Sequence, residues 1–382
     1  MANTTIAEDS DKAGITITII FSIYYGIVFL SGFIGNVLIM VAVFKFKHMK
    51  SVVNGFLANL ALADILFILF SLFDGLTFLF DEWRFGDAVC RIQSTFVEIA
   101  YTISVLTLVA VAVERYVSIC YPYKRKRTFK QSLYISAGLW LIAFIFCSPL
   151  FYGYSVRLEE PSGQINKNKK RICANDNWSN KSRLVFYIIH SVLIYLLPLT
   201  VMCISHYKIS KVLIRQKMVR SSTYSSESKQ EIISTSNGDI NENKSSRTSV
   251  NKIDSNNALS TIQRKRQRTV NRRANIIKLL IVVTAIFFTL WSPFIFIRLL
   301  LYFKVHIHQM IWRASQLLIL ANTAVNCVIY ALISPAFKKA FKCLFTCGAK
   351  SNSMLTMNYS ISRSVEFSES MRKHTTIAQP VP

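Results

Sequence analysis

The sequence predicts an all-α membrane protein: a bundle of seven transmembrane helices followed by a short amphipathic helix at the membrane surface. Three observations carry this. Of 382 residues, 52% are hydrophobic and only 17% charged, with a mean hydropathy of +0.35, more apolar than a soluble domain of that size. Seven windows reach the roughly 20 apolar residues that a helix needs to cross a bilayer. The short segments between them carry Lys and Arg on one side.

The windows are 15–44, 52–73, 92–113, 133–154, 184–205, 279–297 and 314–337. Acidic Glu8, Asp9 and Asp11 precede the first, whereas Lys45, Lys47 and Lys50 follow it, and Lys124–Arg127 with Lys130 follow the third. Positive charge stays on the cytoplasmic side, which puts the N terminus outside and, after seven crossings, the C terminus inside, beside Lys338, Lys339 and Lys342. The segment 156–183 is extracellular in this scheme yet rich in Lys and Arg, the one loop against the rule. The opening MANTTIAEDS lacks the basic start and cleavage site of a signal peptide, so the first span is expected to direct insertion and residues 1–14 to form an extracellular tail.

The formal charge of +25 is carried largely by residues flanking the spans, which suits an inner surface facing anionic lipid and argues against a nucleic-acid partner. The receptor body is taken as 15–335. Within it, 218–259 is rich in Ser, Asn and charge and is expected to be disordered. In 336–347, Phe337, Phe341 and Phe345 alternate with Lys at helical spacing, the pattern of an interfacial helix, with Cys343 and Cys347 as palmitoylation candidates. The remainder, 348–382, reads as a cytoplasmic tail whose Ser and Thr residues are expected to be phosphorylated.

Cys120, Cys147, Cys203 and Cys327 lie in or beside spans, where a small hydrophobe is the ordinary explanation. Cys90 and Cys173 face the oxidising side and are expected to pair, pinning the long loop over the mouth of the bundle. Asn3, Asn177 and Asn180 head glycosylation triplets on that same side.

Ionisable residues inside spans are costly and therefore informative. Asp64 is the clearest, with Asn36, Ser104, Asn322 and Asn326 able to converge on it from other spans. Their oxygens suit a small hard cation or bound water, and equally a polar network that joins helices.

GFIGN at 32–36, NLALAD at 59–64, WRFG at 83–86 with Cys90, ERY at 114–116, Trp140, Pro198, LWSPF at 290–294 and NCVIY at 326–330 follow in order on successive spans. This set resembles the rhodopsin-like family of G-protein-coupled receptors, from Ile15 to Cys347. The resemblance implies that Arg115, with Glu114 as neighbouring counter-ion and Tyr116 beside it, holds the resting state and then meets a heterotrimeric G protein. It implies a sodium pocket from Asp64, Ser104, Asn322 and Asn326, with no other cofactor. It makes Trp291 and Pro293 the pivot of the sixth span, Val105, Pro198 and Phe287 a packing triad, and Tyr330 a residue that swings inward. Arrestin and a receptor kinase are expected partners at the tail, and the plasma membrane the location.

Three departures stand out: Cys327 where the family usually has Pro, His206 where a Tyr is usual, and Arg273 where some members place a Glu. Val97 replaces the Asp that binds amines and Leu320 the Lys that binds retinal, which excludes those ligands. Gln93, Val97, Glu98, Tyr101, Trp291, Arg298, Tyr302 and Gln316 remain as the expected ligand contacts. Arg298 and Glu98 either hold opposite charges of the ligand or pair with each other. WRFG and YPY at 121–123 look most like the neuropeptide branch, so a peptide is the expected ligand, with a lipid or other small agonist the alternative. A transporter would need repeated or broken spans, and an enzyme a catalytic cluster at one depth; His190 and His206 stand about 24 Å apart along one helix at 1.5 Å per residue.

Overall fold

A computed structural model describes residues 2–121, 123, 127–159, 169–236, 277–278, 280–303 and 305–346. The bundle consists of α1 (Ala2–Lys45), α2 (Val52–Phe80), α3 (Gly86–Cys120), α4 (Phe129–Cys147), a single turn α5 (Leu150–Gly153), α6 (Asn180–Ser191), α7 (Leu197–Ser236), α8 (Leu280–Tyr302) and α9 (Gln309–Ile333). Seven stretches of these helices are long and apolar enough to cross a membrane, as the sequence predicts. The segment from Pro335 forms a separate unit, whose described part is α10 (Pro335–Thr346).

Local chemistry sets most boundaries. Ser51 caps α2 by accepting from the Asn54 amide at 3.3 Å, and Thr128 with Gln131 closes a reciprocal capping box at the start of α4. Asp81 adopts a left-handed conformation where α2 stops, and Gly86, at φ +81°, turns the chain into α3. The buried Trp83 holds that turn by donating to the Gly86 carbonyl at 2.8 Å. Between α6 and α7 one turn widens to a π-helix at Val192–Leu196, just ahead of Pro198, which has no N–H to continue an α ladder.

Small residues let helices approach. A Cβ on Gly35 would lie 2.6 Å from Cys327 Cβ, and one on Gly32 would lie 3.0 Å from Thr323 Oγ1, so GFIGN forms the seam between α1 and α9. Asn36 crosses the same seam, donating to the Thr323 carbonyl at 3.2 Å. Asn59 ties three helices: it donates to Thr107 Oγ1 at 2.7 Å and accepts from Trp140 Nε1 at 2.9 Å. Ile142, Ile145, Leu193, Phe296 and Val328 point outward, as a lipid-facing surface requires.

The all-α class stands, and one short hairpin adds to it: β1 (Ser155–Glu159) pairs antiparallel with β2 (Lys170–Ala174), with Val156 opposite Cys173. The structure corrects other expectations. Residues 2–14, expected as a tail, continue α1, and α7 runs to Ser236, past the predicted onset of disorder at Met218. After Pro198 the first helix breaker is Gly238, so nothing local stops that helix earlier. The rest of 218–259, Arg273 and the tail 348–382 lie outside the described residues. The third span begins at Gly86 rather than at 92, and the seventh ends at Ile333, because Pro335 opens α10 as its first residue. Within α10 the rings of Phe337 and Phe341 lie 5.8 Å apart, four residues along one face.

Candidate ligand-binding site

At the hairpin end the bundle encloses a cavity of about 710 Å³ between α1, α2, α3, α9 and the hairpin. Cys90 and Cys173 form the expected disulfide, tying β2 to the first turn of α3. Ion pairs fix the hairpin further: Lys170 binds Asp81, Arg171 lies 3.9 Å from Glu82, and Arg157 lies 2.7 Å from Asp176. The Trp83 amide donates to the Arg171 carbonyl at 2.7 Å. Much of the loop's positive charge, the feature that broke the topology rule, is thus matched by acids at the ends of α2 and before α6.

Of the eight expected ligand contacts, Val97 and Gln316 line the cavity. Gln93 touches it indirectly by donating to Asp74 Oδ2 at 2.8 Å, and Asp74, which lines the cavity, was not anticipated. Nor were Tyr25, whose hydroxyl donates to the Ser71 carbonyl at 2.5 Å, or Trp312 and Arg313 of α9. The Arg313 guanidinium sits 4.4 Å above the Phe78 ring.

The remaining contacts are occupied by one another. Arg298 donates to Glu98 Oε1, and the pair is sealed in the core at 5% and 6% exposure. His190 Nε2 lies 3.5 Å from the other Glu98 oxygen. The Arg298 guanidinium faces the rings of Tyr187 at 4.5 Å and Phe294 at 5.0 Å, and Tyr187 stacks on Tyr302 at 4.7 Å. Of the two readings left open for Glu98 and Arg298, the geometry is that of the internal pair.

Beneath this cluster Tyr101 stacks on Trp291 at 3.9 Å, and Trp291 meets Phe67 edge-on at 5.8 Å. Deeper still, Asp64 accepts from Asn326 at 3.1 Å and from Ser104 at 3.4 Å. Asn322 is buried beside them in sequence but makes no hydrogen bond to Asp64, and its Oδ1 is without a partner. Among the described residues no three His, Cys, Asp or Glu side chains converge, so a cation there would meet one carboxylate and neutral oxygens. Cys327, lacking the ring that Pro would bring, leaves α9 continuous to Ile333 and lends its thiol to the Thr323 carbonyl at 3.6 Å. Tyr330 is fully buried, and Pro293 lies within an unbroken α8.

At the opposite end Glu114 makes no direct ion pair with Arg115, although its charge acts on it through space. It accepts from Arg127 at 2.8 Å, because adjacent helical residues point in different directions and Glu114 faces the loop that follows α3. Arg115 makes no ion pair among the described residues, and its Nε is without a hydrogen-bond partner. The Tyr116 hydroxyl lies 3.3 Å from that of Tyr121, and Lys208 sits 5.6 Å over the Tyr116 ring. His206 reaches from α7 to Thr284 of α8 at 3.2 Å, a partner that sequence spacing did not suggest.

The modification candidates are scattered. Asn177 is exposed but donates to the Tyr152 carbonyl at 2.9 Å, Asn180 begins α6 and accepts from Arg183 at 2.6 Å, and Asn3 lies in α1. Cys343 lies in α10, and Cys347 is outside the described residues.

Comparison with known proteins agrees with this architecture. The family model described as 7 transmembrane receptor (rhodopsin family) matches residues 35–330. Neuropeptide Y receptor type 5 of Rattus norvegicus is 35% identical over 189 residues, 49% of this chain and 42% of that protein. The trissin receptor of Drosophila melanogaster is 31% identical over 217 residues, 54% and 32% of the two chains. Galanin receptor 2b of Danio rerio is 24% identical over 338 residues, 86% and 76% of the two. The chain spans less than half the length of the first two relatives. With seven membrane-crossing helices and a family match over most of its length, the chain is a multi-pass membrane protein and belongs to the rhodopsin family of seven-transmembrane receptors.

Proposed function

We propose that the chain is a plasma-membrane receptor that binds an extracellular peptide in the hairpin-roofed cavity and then promotes nucleotide exchange on a heterotrimeric G protein at its Arg115 end. The observation that carries this reading is the cavity itself. At about 710 Å³, lined by carboxylates, cations, amides and aromatic rings, it suits the end of a peptide of mixed charge better than a uniformly apolar lipid. The names of the similar proteins, receptors for neuropeptide Y and galanin, point the same way.

Signal transfer follows the packing. Val97, on the cavity wall, lies one helical turn from Tyr101, whose ring rests on Trp291 of α8. A ligand that displaces α3 or α9 by a fraction of an ångström therefore acts on α8 through a stacked pair that has little room to deform. Outward motion of α8 would break the His206–Thr284 contact and open the Arg115 end, where a guanidinium without a direct ion pair is ready to meet carbonyl or carboxylate oxygens of a partner. In the resting state Asp64, Ser104, Asn326 and the unpartnered Oδ1 of Asn322 would hold a sodium ion, whose charge the carboxylate balances. In this reading the hairpin end is extracellular, Asn3, Asn177 and Asn180 carry sugars, Cys343 and Cys347 carry palmitate beside membrane lipid, and the phosphorylated tail recruits arrestin.

The test is to express the chain in cells and record second-messenger responses to a neuropeptide extract, before and after protease digestion, with Arg115→Ala as control. A response lost both on digestion and in the variant supports the reading. A response that survives digestion identifies a small agonist instead, and one that survives Arg115→Ala removes the assigned coupling role.

A further inference from the structure

We infer that Asp74 is the anchor for a cationic group of the ligand, the guanidinium or ammonium of an arginine, a lysine or an amino terminus; this rests on the peptide-receptor reading above.

The charges that line the cavity differ in their pairing. Its acids are Asp74, Asp81, Glu82 and Glu159, and its cations Lys170 and Arg313. Asp81 is paired with Lys170, Glu82 with Arg84 at 2.8 Å, and Glu159 with Arg157 at 3.5 Å. Asp74 makes no ion pair among the described residues, and its one hydrogen bond is from the neutral amide of Gln93. That amide is itself fixed, since Gln93 is 3% exposed and accepts from Ser94 at 3.0 Å. The carboxylate is thus held in one orientation by a buried residue while remaining accessible from the cavity.

The surroundings favour a cation. A carboxylate at membrane depth without a counter-ion is penalised, and an incoming guanidinium both removes that penalty and gains charge-assisted hydrogen bonds. Tyr25, whose ring packs on Gly75, and Phe78 and Trp312 line the same cavity and present aromatic walls to such a group. Glu98 cannot serve, because Arg298 already neutralises it inside the core.

The experiment uses the purified full chain in lipid nanodiscs and two probes of nearly identical shape, N-acetyl-arginine amide and N-acetyl-citrulline amide, which differ in charge. Thermal stability is followed against probe concentration for the wild type, Asp74→Asn and Asp74→Glu. The expected result is that the arginine probe stabilises the wild type and Asp74→Glu, the citrulline probe stabilises neither to the same degree, and Asp74→Asn binds the arginine probe about tenfold more weakly or worse. Equal effects of the two probes on the wild type, absence of any effect included, overturn the assignment, as does unchanged arginine affinity in a folded Asp74→Asn. The two readings fail separately. Extract signalling with equal potency through wild type and Asp74→Asn keeps the receptor and removes the anchor. Charge-selective probe binding in a chain that never signals keeps the anchor and removes the receptor.

Discussion

The two ends of the bundle treat their arginines differently. At the hairpin end Arg298 is enclosed, donating to Glu98 of another helix and sandwiched by the rings of Tyr187 and Phe294. At the other end, Arg115 lies about 25 residues down α3 from the disulfide, roughly 37 Å at 1.5 Å per residue, and makes no direct ion pair among the described residues, its Nε being without a hydrogen-bond partner. Its neighbour Glu114 is engaged with Arg127. At one end most charges are in ion pairs before any ligand arrives, although Arg298 Nε and Glu98 Oε2 keep no hydrogen bond and Asp74 and Arg313 make no ion pair among the described residues. At the other end the cation lacks a direct ion pair, which under the proposed function a partner protein would supply. Burial without pairing costs stability, so the Arg298–Glu98 pair holds the fold, while Arg115, under the proposed function, is left for a partner.

Substitutions break or sharpen this contrast in a definite order. Arg298→Ala should have the largest effect on stability, about 3–5 kcal/mol, because it strands Glu98 in the core. Its measure is loss of surface expression and a lower unfolding temperature, with partial recovery in Glu98→Gln/Arg298→Gln; an unchanged unfolding temperature would remove the structural role of the pair. Thr284→Val removes the partner of His206 and should cost about 1 kcal/mol. Because that bond joins α7 to α8, ligand-independent signalling should rise with it, and a fall would contradict the assigned restraint.

Arg127→Ala should cost no more than about 1 kcal/mol, since the Arg127 side chain is 44% exposed and its pair with Glu114 is screened by solvent. Comparing unfolding at low and high salt checks this: the wild type should be salt-sensitive by at most that amount and the variant less so. Arg115→Ala removes a half-buried cation that lacks a direct ion pair and should therefore cost no stability, while, under the proposed function, nucleotide exchange collapses and ligand binding persists. A stability loss as large as that of Arg298→Ala would show the two ends to be alike after all.

Much of the fold was legible because apolar runs of membrane length are decided by composition alone; the caps at Ser51, Thr128 and Ser179, equally local chemistry, went unread. The disulfide was legible because topology left two cysteines on one side. The site was legible in part. Val97 and Gln316, expected as ligand contacts, line the cavity, but Asp74 was passed over because the second apolar window stopped at Phe73, one residue short of it. The helix continues to Phe80, so the rule that singled out Asp64 applies equally to Asp74. The hairpin went unseen because its strands, SVRLE and KRICA, are short and mostly polar, and their pairing depends on Cys90, Asp87 and Glu82 outside them.

By itself the sequence determined how many times the chain crosses the membrane, which residues cap the crossings, and which residues carry charge into lipid. Only the tertiary structure decided what those charges meet: Arg298 with Glu98, Arg127 with Glu114, and Asp74 with an open cavity. The physical reason is that periodicity fixes a helix's apolar stripe but not its rotation or crossing against neighbours. A difference of one residue along α2 or α3 decides whether a carboxylate finds a guanidinium or a cavity.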